Sequence, residues 1–197
     1  MTTNLAVVIL AAGSGSRFVR SGGTGPKQLT PIAGLPMLQH AINLANELLP
    51  GRVYSLLGSN WQSIESQVTG AKTLVNPDWQ RGLGNSIACA LKHLRMETMA
   101  YDGLLIMLGD QPLLARNKLA SMLDLFDGDR VVCASYEGRE GVPAVFPRAL
   151  FADLMALDAD AGAKALLHSL QNKITVDMPE AAVDIDTLDD LKRLPSW

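Results

Sequence analysis

The sequence predicts an α/β fold with a mostly parallel central sheet covered by helices on both faces. Short β-branched or leucine-rich runs recur along the chain, apolar throughout rather than alternating with polar residues. Segments with a helical period separate these runs, the succession that builds parallel sheets. No internal repeat, low-complexity linker or shift in composition divides the 197 residues, so one domain over 1–197 is expected.

The first strand is expected at residues 6–11, where an apolar run leads straight into a turn of small residues. Residues 21–25, Ser-Gly-Gly-Thr-Gly, are the one irregular tract and read as a mobile loop. Residues 36–49 read as a helix: Pro36 suits a first turn, Leu38, Ile42, Ala45 and Leu49 share a face, and Gly51 marks the stop. Strands are expected at 53–57 and 73–75, then a helix at 85–94. Residues 104–108 are fully apolar and read as a central strand. A helix at 118–126 and strands at 131–134, 144–146 and 174–176 follow. Thr187 and Asp190 form a capping pair for a last short helix.

Composition narrows the function. Hydrophobic residues make up 48% and charged ones 19%, enough for a sizeable core and too apolar for disorder. The net charge is −3 and no dense run of Lys or Arg occurs, which argues against a nucleic-acid or membrane-surface binder. Cys89 and Cys133 lie far apart in apolar surroundings and read as buried free thiols. His40, His93 and His168 lie in helical patterns without metal-ligand spacing, and Trp61, Trp79 and Trp197 form no stacking stripe. No run approaches membrane-spanning length, and the apolar stretch at 5–10 reads as a strand rather than a signal peptide, so a cytoplasmic protein is expected.

In a sheet of this kind ligands gather at the carboxyl ends of the strands, and four polar clusters fall there. The first is Gly13–Arg17. Its residues lack the third glycine of a dinucleotide loop, where Phe18 stands, and the chain has no Gly-Lys-Ser or Gly-Lys-Thr for a P-loop. Small residues let backbone N–H groups approach an anion, and Arg17 can add a forked contact to phosphate. An ordinary strand-to-helix turn with a solvated arginine fits equally. The second cluster is Gly25-Pro26-Lys27-Gln28, where Lys27 either reaches the same phosphates or is simply solvated. The third is Gly109-Asp110-Gln111-Pro112. An aspartate at the tip of a buried strand can ligate Mg²⁺, which takes one or two carboxylates plus substrate phosphates, or can be a turn residue. The fourth is Asp184-Ile185-Asp186-Thr187. Alternation puts both carboxylates on one side of an extended stretch, and Asp110 and Asp186 could share one Mg²⁺. A phosphate cradle, two cations and a metal site suit phosphoryl or nucleotidyl transfer.

Six segments in order resemble the molybdenum cofactor cytidylyltransferases, a branch of the nucleotidyltransferases. They are Leu10-Ala11-Ala12-Gly13-Ser14-Gly15-Ser16-Arg17 with Lys27, the 76–86 segment carrying Gly82, Gly84 and Ser86, the Gly109–Pro112 turn, the 141–146 segment with Gly141 and Pro143, the 160–164 element, and Asp184–Thr187. The gap from Arg17 to Lys27 is longer than usual in that branch, and Lys164 stands where Arg is usual. The resemblance implies a Rossmann-like three-layer sandwich of the nucleotide-diphospho-sugar transferase type. It implies catalytic Arg17, Lys27 and Asp110, and a nucleotide site over residues 10–17, Lys27, Gly82, Gly84 and Ser86. Mg²⁺ would sit on Asp110 and Asp186, and a second substrate on Gly141, Pro143 and Lys164. The implied reaction joins CTP to the terminal phosphate of a pterin cofactor and releases pyrophosphate, with transient contact to a molybdoenzyme or its chaperone. Three other readings remain: a cytidylyltransferase of the methylerythritol phosphate type, a guanylyltransferase, and a non-catalytic cofactor-insertion protein. The related guanylyltransferases carry Leu-Ala-Gly-Gly where this chain has Leu10–Gly13. The Ala12 methyl is expected to narrow the space beside the turn and favour cytosine, unless Ala12 merely packs there.

Overall fold

The computed structural model describes residues 3–96, 101–157 and 162–195. Within them the strands are β1 (Leu5–Ala11), β2 (Pro31–Ile32), β3 (Leu35–Pro36), β4 (Val53–Leu57), β5 (Lys72–Val75), β6 (Gly103–Leu108), β7 (Val131–Tyr136), β8 (Arg139–Pro147) and β9 (Lys173–Asp177). The helices are α1 (Ser16–Arg20), α2 (Met37–Leu48), α3 (Trp61–Glu65), α4 (Leu83–Met96), α5 (Arg116–Leu125), α6 (Phe151–Met155), α7 (Gly162–Ser169) and α8 (Leu188–Lys192). Seven strands form one sheet in the order β5-β4-β1-β6-β8-β7-β9, and β2 pairs with β3 in a small hairpin. Only β8 runs against its sheet neighbours, so the expected mostly parallel sheet is what the chain forms.

Strand alternation sends β1 residues to two different cores. Val7 and Ile9 join Leu105 and Met107 under α2 and α5, where Leu38, Ala41, Ile42, Leu119 and Met122 are buried. Ala6, Val8 and Leu10 join Leu104 and Ile106 under α4, α6 and α7, where Ile87, Leu91, Leu154 and Leu167 are buried. A buried Val, Leu, Ile or Met contributes about 1.5–3 kcal/mol, and both faces of β1 and β6 are filled this way. The sheet is thus the middle layer of three. No helix among the described residues is long and apolar enough to cross a membrane.

Three expectations change. Helix α2 begins at Met37, and Pro36 precedes it in extended backbone, paired with Pro31 across the β2–β3 hairpin. The strand expected at 144–146 is the inner part of the nine-residue β8, which makes a hairpin with β7. Its two-residue turn, Glu137 and Gly138, has positive φ at both positions (50° and 71°), the conformation that matches strand twist. Residues 21–23 of the 21–25 tract are tied into the turn by hydrogen bonds. Ser21, Gly22 and Gly23 donate backbone hydrogen bonds to Arg17, Val19 and Phe18, and the Ser21 hydroxyl accepts from the Leu188 amide (2.9 Å). The Phe18 ring fills the space where a Gly23 side chain would stand.

Candidate functional site

A cavity of about 500 Å³ opens at the carboxyl ends of β1 and β6, within the size range of small-molecule sites. Residues 10–17 line it. Lys27, Gly82, Ser86, Asp110 and Asp186 also line it. Gly84 lies in the first turn of α4 but outside the wall, and Gly141, Pro143 and Lys164 do not reach the cavity. Gly141 and Pro143 are buried in β8, where the Tyr136 hydroxyl occupies the space over Gly141, and Lys164 is exposed on α7. Asp160 and Ala161 of the 160–164 element, like Trp197, lie outside the described residues.

The turn after β1 is built for close approach. Gly15 has φ of 65° and no room for a side chain, because a Cβ there would sit 2.8 Å from the Lys27 Cβ. Gly13 faces open space. The Gln28 amide donates to the carbonyls of Ala11 (2.7 Å) and Gly13 (2.8 Å), which fixes the turn from below. Gln28 is only 4% exposed, and sequence reasoning gave it no role, although it directly follows Lys27.

The carboxylates meet through backbone pairing. The Ile185 amide donates to the Asp110 carbonyl (3.0 Å), and the Ile185 side chain is buried with Ile32 and Met37. This docking brings Asp184 and Asp186 beside Asp110. The Lys27 ammonium then bridges the pair, 2.8 Å from Asp110 Oδ2 and 2.9 Å from Asp186 Oδ1. Burial alone lowers the Lys27 pKa, but the charges and hydrogen bonds of Asp110 and Asp186 together outweigh it and hold the ammonium above its ordinary range. Arg17 reaches Asp186 Oδ2 at 2.8 Å from the mouth, with its side chain 69% exposed. Asp184, which reaches solvent at the cavity edge, is pushed up to about 6, first by desolvation and then by the Asp110 charge; Asp186 adds to the rise, and Gln111 and Lys27 oppose it.

Asp110 Oδ1 is buried without a hydrogen-bond partner among the described residues, an arrangement that a protein tolerates where a ligand completes it. A hard divalent cation takes carboxylate oxygens of this kind, so Asp110 and Asp186 fit Mg²⁺. The charge balance agrees. Two cations face three carboxylates around the cavity, so a triphosphate would meet net repulsion without a further positive charge. The remaining chemistry-bearing side chains lie elsewhere. His40 and His93 contact the carbonyls of Ile32 and Val75, and Cys133 is fully buried, with desolvation raising its thiol to about 11.

Sequence and structure comparisons agree with this architecture. Bifunctional protein GlmU of Pseudomonas savastanoi pv. phaseolicola is 37% identical over 123 residues, 62% of this chain and 25% of that protein. The chain thus spans about a quarter of the length of the curated relatives it matches. Rv0371c from Mycobacterium tuberculosis H37Rv, solved in complex with manganese, is 27% identical with a TM-score of 0.78 over 98% of both chains. Mth528, a nucleotidyl transferase from Methanothermobacter, shares the fold with a TM-score of 0.82 at 19% identity, covering 96% of this chain and 95% of that one. The family model of the MobA-like NTP transferase domain matches residues 7–174, and the chain belongs to that family.

Proposed function

We propose that this protein is a nucleotidyltransferase that moves CMP from CTP to the terminal phosphate of the molybdenum cofactor pterin. The observation that carries the reading is one cavity holding a small-residue turn, two cations and the paired Asp110 and Asp186. The manganese bound by Rv0371c supports a divalent ion in this family member too. Asp110 and Asp186 would hold Mg²⁺, which supplies neutralisation of the triphosphate charge. Lys27 spends two of its three N–H groups on the carboxylates and keeps one for a phosphate oxygen. Arg17, largely exposed, is free to swing from Asp186 onto the triphosphate.

In the reaction an oxygen of the acceptor phosphate attacks the α-phosphorus of CTP. The bond to the β-phosphate breaks, and pyrophosphate carries away the electron pair. A phosphate monoester has a second pKa of about 6 and is already anionic near neutral pH. It needs no protein base, and no histidine lines the cavity. Positioning and charge stabilisation are what the residues provide.

The experiment incubates the protein with Mg²⁺, CTP and purified pterin cofactor and identifies the product by mass spectrometry. A dinucleotide form of the cofactor plus pyrophosphate is expected, and Asp110→Asn should slow its formation by orders of magnitude while remaining folded. Turnover with methylerythritol phosphate in place of the pterin would replace the acceptor. Preference for GTP over CTP would replace the donor and end the role of Ala12 as selector.

A further inference from the structure

The strand order places the lining residues of the cavity on two sides of the turn after β1. On the β6 side lie Lys27, Asp110 and Asp186. On the β4 and β5 side the charges stop, and the wall is made by Trp79, Gly82, Leu83 and Ser86. A nucleoside triphosphate spans both parts, and its phosphates belong with the charged one. Its base must therefore lie beside the other.

Among the described residues, Trp79 is the one aromatic residue of the cavity wall. The backbone sets its place. Val75 ends β5, Asn76 donates to the Asn85 carbonyl oxygen of the side chain and to the Ser86 hydroxyl (both 3.1 Å), and a short 3₁₀ turn, Trp79–Arg81, leads through Gly82 (φ 99°) into α4. Gly58, just beyond β4, makes room for the Trp79 side chain. A Cβ on Gly58 would lie 2.5 Å from the Trp79 Cβ and 2.7 Å from the Ala12 carbonyl oxygen. Trp79 and the Ala12 turn therefore pack against the same glycine, and the Ser59 amide donates to the Ala12 carbonyl (3.0 Å). The Trp79 side chain is half-buried, and its indole N–H has no hydrogen-bond partner among the described residues.

Resting on the nucleotidyltransferase reading, we propose that Trp79 is the nucleobase wall of this site. Its ring face covers the base that the Ala12 turn confines from the other side, and the Ser86 hydroxyl, which accepts from Asn76, keeps its own proton to donate to the base edge. Trp79 is thus a substrate-binding residue that holds the base while the charged half of the cavity handles the phosphates.

The test is calorimetric binding of CTP and of inorganic tripolyphosphate, both with Mg²⁺, to wild type, Trp79→Leu and Trp79→Phe. Circular dichroism and thermal melting check that each variant is folded. Trp79→Leu is expected to weaken CTP by about tenfold or more, the scale of base–aromatic stacking, and to leave tripolyphosphate unchanged. Trp79→Phe, which keeps a ring, should recover most of the loss. Equal CTP binding in Trp79→Leu and wild type overturns the role of Trp79 and leaves the nucleotidyltransferase reading intact. Equal weakening of CTP and tripolyphosphate also overturns it, because the effect would then not be on the base. Failure of wild type to bind any nucleoside triphosphate would remove the parent reading, and this inference with it.

Discussion

Lys27 holds together two carboxylates that are 83 and 159 residues away from it in sequence. Removing its charge leaves Asp110 and Asp186 facing each other without compensation, a change that breaks a largely buried ionic cluster. Lys27→Met is therefore expected to melt at lower temperature than wild type without divalent cations, and to be raised more by added Mg²⁺ or Mn²⁺. The cation would restore in the variant the positive charge that Lys27 supplies in the native protein. Thermal unfolding with and without metal measures both effects. A metal-induced shift no larger than that of wild type would mean that the cation does not use this pair. The sequence revealed all three residues as candidates, Asp110 at the tip of an apolar strand, Lys27 soon after a glycine-rich turn and Asp186 in an extended stretch just before a helix cap. It did not reveal that they contact one another, since partners so distant are joined only by the fold. Gln28 went unmarked for the same reason: an amide that holds two carbonyls of another turn looks like any polar residue in one dimension.

Among the elements, α8 is small and its cap is closely tied to the site. The Thr187 hydroxyl accepts from the Asp190 amide (3.2 Å), and Asp190 Oδ2 accepts from the amides of Thr187 (2.8 Å) and Asp186 (3.1 Å). The same box that starts the helix thus fixes the backbone of Asp186. Thr187→Ala should lose about 1 kcal/mol, the usual worth of such a cap, and should also raise the Mg²⁺ concentration needed for half-maximal activity. Denaturant unfolding and a metal titration give the two numbers, and an unchanged metal requirement would separate the cap from the site. This helix was legible because Thr187 and Asp190 are a capping pair on sight. The β7–β8 hairpin was not, because Tyr136-Glu-Gly-Arg-Glu140 is polar and breaks the apolar pattern on which the strand reading depended. Trp79 was missed as a wall residue because its place comes from a 3₁₀ turn and a glycine just beyond β4, and spacing carries neither.

For the whole molecule, the two large apolar clusters lie on opposite faces of one sheet and share β1 and β6. Neither can lose its packing without exposing strands that the other needs. A single unfolding transition is expected, with far-UV and near-UV circular dichroism changing together. Two separated transitions would mean that the chain folds as more than one unit. Class of fold was the most readable property at this scale, because strands buried on both faces must be apolar along their whole length. Strand order was less so, as nothing local to β8 states that it runs against its neighbours.

The bond from the Ile185 amide to the Asp110 carbonyl gives the site an order of assembly during synthesis. The turn after β1, Lys27 and Asp110 are all made before residue 131, when much of the sheet is still missing. Asp186 comes only after β9 has been added at the edge. A nascent chain can thus display Lys27 and Asp110 together, but the second carboxylate arrives only with the segment that leads into α8. Every shorter translation product lacks the Asp186 carboxylate that pairs with Lys27, so the ionic cluster closes only once the segment leading into α8 has been made.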